Sequence, residues 1–195
     1  MHVPYKLTQT KIMKNHLVTL VFGLVLFSTL GYSQSSELDS KAAIVEAKEF
    51  TLKSTDGQTV RLSDYKGKFV VVHIATTWCP YCNAEAPYLE EIYKEYNDKN
   101  VEVLIIDVKE PLNLVQEKIK NKFELSFPVL LDTDGAVAAS FAPADVLPEL
   151  ARDEIMLASN LLIDPQGKIQ FMSLLDTKNF DVKLIHLKKR LNELL

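Results

Sequence analysis

The sequence predicts an α/β fold, a central mixed sheet with helices on both faces and an N-terminal hairpin. Three observations carry this. Two runs of β-branched and apolar residues, 69–74 and 101–108, are long enough for strands buried on both faces. Between and after them come stretches whose apolar residues recur at three- and four-residue steps, the spacing of a helix stripe. Two late apolar runs flank Asp164-Pro-Gln-Gly167, a hairpin signal. Strands alternating with helices imply right-handed crossovers and a parallel centre, to which the late hairpin adds an antiparallel edge.

Each element follows from its own residues. Residues 49–52 read as a first short strand, joined by Asp56-Gly57 to a second at 59–62. A turn-rich connection, 63–68, leads to the strand 69–74. A helix is expected over 80–96, because proline at a first helical position lacks only an N–H that would go unpaired. Leu89, Ile92, Tyr93 and Tyr96 form its buried stripe, and Pro87 inside it predicts a kink. Strand 101–108 precedes a helix over 111–123 with Leu112, Val115 and Ile119 on one face. A short strand, 129–131, stops at Asp132-Thr-Asp-Gly135, and 136–141 reads as a short helix. Strands at 161–163 and 168–174 form the late hairpin, and 180–195 is a closing amphipathic helix.

With 195 residues, 47% hydrophobic and 25% charged, the chain can pack a core, and one domain plus a tail fits its length. A net charge of −4 is not the basic footprint of a nucleic-acid binder. Lys6, Lys11 and Lys14 lead into a mostly apolar run over 17–30, followed by small residues Gly31 and Ser33 before Gln34. That is the layout of a secretory signal peptide, with an apolar core too short for a membrane span of about 20 residues. The expected organisation is a signal peptide over 1–33, a polar tether over 34–48 and a domain over 49–195. The domain is then exported, to the periplasm; left uncleaved, the signal would tether it to the membrane. No cysteine lies at the cleavage point, which argues against a lipoprotein.

The two cysteines sit together in Trp78-Cys79-Pro80-Tyr81-Cys82. So short a loop cannot staple a fold, which leaves a redox pair or half of a metal site. A zinc site needs further ligands; no second cysteine pair exists, and His2, His16, His73 and His186 are scattered. A strand that ends at Cys79 and opens a helix gives the redox reading its physics. Unpaired N–H groups and the helix dipole favour a thiolate there, and the thiolate is the nucleophile in disulfide exchange. Cys82, nearly one turn on, returns its sulfur to Cys79. Cys79 is the expected attacking thiol and Cys82 the resolving one, with Trp78, Pro80 and Tyr81 around them.

Phe50-Thr-Leu52, Asp56-Gly57, Leu62-Ser-Asp64, Lys66-Gly-Lys68, Thr77-Trp-Cys-Pro-Tyr-Cys82 and Glu85-x-Pro87 together resemble the TlpA-like exported thioredoxins, which include cytochrome-maturation thioredoxins. Phe127-Pro-Val-Leu-Leu-Asp132 and Leu161-Leu-Ile-Asp-Pro-Gln-Gly-Lys168 match later family segments, so the likeness covers most of the expected domain. It implies a thioredoxin-like fold and reduction or exchange of disulfides in exported partner proteins. It needs no cofactor and no metal beyond the cysteine pair, which a membrane electron donor would re-reduce.

The resemblance also implies that Glu85 lies beneath the cysteines and tunes their acidity; a solvated first-turn glutamate is the alternative. Two departures bear on the site. Ala158 falls where such folds place a cis-proline, and residues 143–154 are inserted just before it. His73 stands where relatives carry a buried Asp or Asn, either pointing toward the pair or serving as a core histidine with a satisfied hydrogen bond. Two other functions compete. Thr76-x-x-Cys79 echoes the spacing of thiol peroxidases, although Val72 replaces the proline expected earlier in that motif. Two adjacent thiols also suit a soft ion such as Cu(I).

Overall fold

A computed structural model describes residues 45–195. The expected signal peptide and most of the tether lie outside the described residues. The chain already meets the domain at its first described residues: Ile169 donates its N–H to the Val45 carbonyl, and Ala47 to that of Gly167.

Seven strands form one mixed sheet in the order β2-β1-β5-β4-β3-β6-β7. β1 (Thr51–Ser54) and β2 (Thr59–Arg61) are the N-terminal hairpin, and β1 also pairs antiparallel with β5 (Val129–Asp132). The centre is parallel, as β-branched runs at β3 (Phe69–Ala75) and β4 (Val101–Val108) predict. β6 (Ser159–Ile163) runs antiparallel to β3 and leads into β7 (Ile169–Ser173).

Alternation along the strands divides the core in two. Val71, Ala75, Val103 and Ile105 pack under α1 (Pro80–Tyr96), α2 (Leu112–Val115) and α5 (Ile185–Leu194), through Cys82, Leu89, Ile92, Val115, Leu187 and Leu191. Val70, Val72, Ile74, Leu104 and Ile106 pack on the other face, against Ala138 and Phe141 of α3 (Ala136–Phe141). His73 and Asp107 belong by register to the α1 face, two residues along from Val71 and Ile105. Both are buried.

Several expectations are corrected. The second helix is one α turn followed by a π-helical segment, Gln116–Asn121; Val115 and Ile119 are buried but Leu112 is exposed. Leu112 is the first helical residue, at the exposed start of the turn. α1, by contrast, keeps its expected bounds and runs through Pro87, whose ring lies at the surface. The closing helix starts at Ile185; Leu184 before it takes a left-handed conformation, and Asp181 accepts from the His186 N–H. The inserted segment holds a further helical turn, α4 (Arg152–Ile155), which the sequence does not announce.

Candidate active site

The site forms where β3 ends and α1 begins. Cys79 is the N-cap of α1, Pro80 the first helical residue, and the two cysteines are disulfide-bonded. The Cys82 N–H donates to Cys79 Sγ at 3.1 Å. One unpaired donor of the helix start is thereby aimed at the sulfur that would carry a thiolate. In this oxidised form exposure does not distinguish the pair, at 4% for Cys79 and 3% for Cys82. What distinguishes them is the amide and the dipole at Cys79. Trp78 stands exposed beside them, and Tyr81 packs edge-on against Phe180 with ring centroids 4.9 Å apart. Asn83 donates to the carbonyls of Thr77 and Cys79, fastening the turn to the helix.

Glu85, one turn beyond Cys82, is 2% exposed, so it is not a solvated first-turn glutamate. It joins a buried chain of polar groups. Asn160 of β6 donates its amide to Glu85 Oε1 at 3.0 Å, which turns its Oδ1 toward His73 Nδ1 at 2.9 Å. His73 therefore donates from Nδ1, and its Nε2 is left without a partner. His73 Nδ1 is also 3.5 Å from Glu85 Oε2, the spacing of an ion pair. Burial argues otherwise for both partners. It pulls His73 down to about 4 and pushes Glu85 up to about 8, against the hydrogen bond from Asn160. Near neutral pH the two are an uncharged pair.

His73 also lines a small cavity of about 10 Å³ with Cys82, Thr76 and Ala86, at the lower limit for one water. On its other side Glu85 opens into a cleft of about 150 Å³ walled by Ala158, Phe171, Phe180 and Leu184, with Asp176 and Asp181 among its lining. Ala158 precedes β6 with φ 58°, and its N–H donates to the Ile74 carbonyl at 2.9 Å. All described peptide bonds are trans.

The structure thus brings Cys79, Cys82, Glu85, His73 and Ala158 together around one turn. The sequence reading missed Asn160, which links two of them. Its signal was a polar Ser159-Asn160 pair opening an otherwise apolar strand. For the competing readings, the Thr76 hydroxyl is buried without a hydrogen-bond partner, so it does not serve the Cys79 sulfur here as a peroxidase threonine would. Among the described residues no cluster of three or more His, Cys, Asp or Glu is arranged to hold a metal.

Comparison with known proteins gives consistent neighbours. The AhpC/TSA family matches residues 45–172. The thiol-disulfide oxidoreductase ResA of Bacillus subtilis is 35% identical over 150 residues, covering 75% of this chain and 77% of the relative. ResA of Geobacillus thermodenitrificans is 32% identical over 151 residues, covering 75% and 80%. A solution structure from Bacteroides thetaiotaomicron, described as a protein disulfide isomerase, is 29% identical with a TM-score of 0.60, covering 77% of this chain and 87% of that one. A secreted Mycobacterium tuberculosis disulfide oxidoreductase shares the fold, at 22% identity and a TM-score of 0.59, covering 74% and 95%.

Proposed function

The chain belongs to the AhpC/TSA family, where it is a TlpA-like thiol–disulfide oxidoreductase of thioredoxin fold, and we propose that it acts outside the cytoplasm as a reductant of partner disulfides. The observation that carries the direction of attack is the Cys82 N–H donating to Cys79 Sγ at the start of α1.

In the reduced enzyme Cys79 is the thiolate and attacks one sulfur of a partner disulfide. A mixed disulfide forms and the partner's other sulfur leaves as a thiolate, taking a proton. Cys82 then loses its proton and attacks Cys79, closing the Cys79–Cys82 disulfide and releasing the partner as a dithiol. Two electrons have passed to the partner, together with one proton lost by Cys82 and one taken from solvent; an external dithiol at the membrane returns the electrons and restores the Cys82 proton. Glu85, protonated in the oxidised form, is a proton store one turn from Cys82. His73 and Asn160 hold it there.

Export is supported by the lysine-led apolar run over 17–30 and the small residues before Gln34. Two experiments test this reading. The reduced protein should reduce a disulfide-bonded protein substrate with a dithiol as donor, and Cys79→Ser should abolish the activity. Expressed with its full N-terminus, the protein should be recovered outside the cytoplasm at the mass of a chain starting at Gln34. Wild-type activity in Cys79→Ser, or full-length protein in the cytoplasm, contradicts the respective half of the proposal.

A further inference from the structure

The elements around the redox turn carry a second buried acid, on the flank opposite Glu85. Asp107 is the seventh residue of β4, paired in register with Ala75 at the end of β3. It is 1% exposed, and neither carboxyl oxygen has a hydrogen-bond partner. The neighbouring charge that acts on it is that of the Glu110 carboxyl, three residues on and just past the end of β4. Two ionised carboxylates both accept and neither donates, which explains the orphaned oxygens. A buried charge with no donor is also costly. One proton resolves both problems, because a neutral Asp107 has an O–H to give.

Glu110 has its own task. Its carboxylate accepts from the backbone N–H of Thr77, and from the Thr77 hydroxyl at 2.7 Å. Thr77 lies two residues before Cys79, in the turn that aims the attacking sulfur. Each carboxylate oxygen has two lone pairs, so room remains for a third donor. The loop is held at its other side too: Lys109, in a left-handed conformation, pairs with Asp153 of α4 at 2.5 Å.

We propose that Asp107 is a positioning residue for the redox pair: as a neutral acid it donates to Glu110, whose carboxylate grips Thr77 and so fixes the turn that presents Cys79. The cost of burying its charge supports this, since burial and the neighbouring Glu110 raise Asp107 to about 8. The other titratable groups around the turn are separately engaged. His73 and Glu85 are held by Asn160, Lys109 by Asp153, and the cysteines by their disulfide. Asp132, on the neighbouring strand, accepts from the Ala138 N–H on the other sheet face.

The proposal deepens the oxidoreductase reading, and its test does not depend on activity. Carboxyl ¹³C and amide NMR titrations are run on the oxidised protein, where the cysteines cannot ionise. The Asp107 carboxyl should stay protonated far above the ordinary aspartate range, and the Thr77 amide shift should move with the same midpoint. In Asp107→Asn, whose amide also donates to Glu110 but does not titrate, the Thr77 shift should lose that transition while Glu85 remains in place. Partner reduction at pH 7 should fall about tenfold in Asp107→Ala and be restored in Asp107→Asn, a factor worth about 1.4 kcal/mol. An Asp107 carboxyl that ionises near 4, or a Thr77 transition that persists in Asp107→Asn, overturns the proposal. If Asp107→Ala does not fold, the wild-type and Asp107→Asn titrations still decide it.

Discussion

At the scale of single residues, the site separates two sulfurs that solvent treats alike. Cys79 receives an amide N–H and the helix dipole, while Cys82 lies one turn inside with its sulfur toward the Ile74 carbonyl. After reduction, alkylation should modify Cys79 first, at a rate at least tenfold above Cys82 near neutral pH; equal rates would remove the assignment of roles. Glu85 acts by its charge state. Neutral below about 8, it does not oppose a thiolate; ionised above that, it repels one. Cys79 alkylation in Glu85→Gln should therefore follow a simple one-group titration, while the wild type bends in the alkaline range. Superimposable curves would make Glu85 a purely structural residue. The cysteine pair was legible from spacing alone, because a helix start needs only neighbours in sequence. Asn160 and Asp107 were not, because their partners come from other strands. The hint in both cases was a polar residue within an apolar strand run.

At the scale of elements, local pattern foretold what local physics decides. The β4 run and α1 match their expected bounds because β-branched continuity and a proline start are strong signals. The π segment after α2 and the α4 turn were hidden, since both depend on what they pack against. The 143–154 segment is not a loose insertion. Arg152 ties it by donating to the carbonyls of Pro143 and Val146, and Leu147 and Leu150 remain exposed. Exposed apolar side chains on an anchored loop are suited to partner choice. Replacing Leu147 and Leu150 by serine should leave reduction of a small disulfide reagent near wild type and change which native partners are captured. Loss of both activities, or of neither, counts against that role. Within the core, Leu89→Ala should cost about 2–5 kcal/mol, read as a lowered denaturation midpoint, because Leu89 is fully buried on the inward face of α1.

At the scale of the whole molecule, two neutral acids flanking one turn make stability depend on pH. Glu85 and Asp107 are both raised to about 8 by burial, well above their unfolded values. Between pH 6.5 and 8 the unfolded chain has lost both protons and the folded chain retains them, so stability falls as pH rises, by up to roughly 1.4 kcal/mol per pH unit for each acid. His73, lowered to about 4, is uncharged in the folded state throughout that window, and its contribution is lost only as pH falls below about 6.5. Thermal denaturation of the oxidised protein should show this slope, and the Glu85→Gln, Asp107→Asn double variant should flatten it; a flat wild-type profile would mean that neither acid is held neutral. These uncharged groups surround a redox centre whose work is to join, for one step, with a partner. The central claim is that Cys79 makes that bond, and trapping tests it most directly. Cys82→Ser, expressed with its native N-terminus, removes the resolving thiol and should accumulate mixed disulfides with exported proteins, all mapping to Cys79 by mass spectrometry and all released by a dithiol. A Cys82→Ser protein that captures nothing, with Cys79 instead oxidised by peroxide to a sulfenic acid at a rate that matches turnover, would contradict the account.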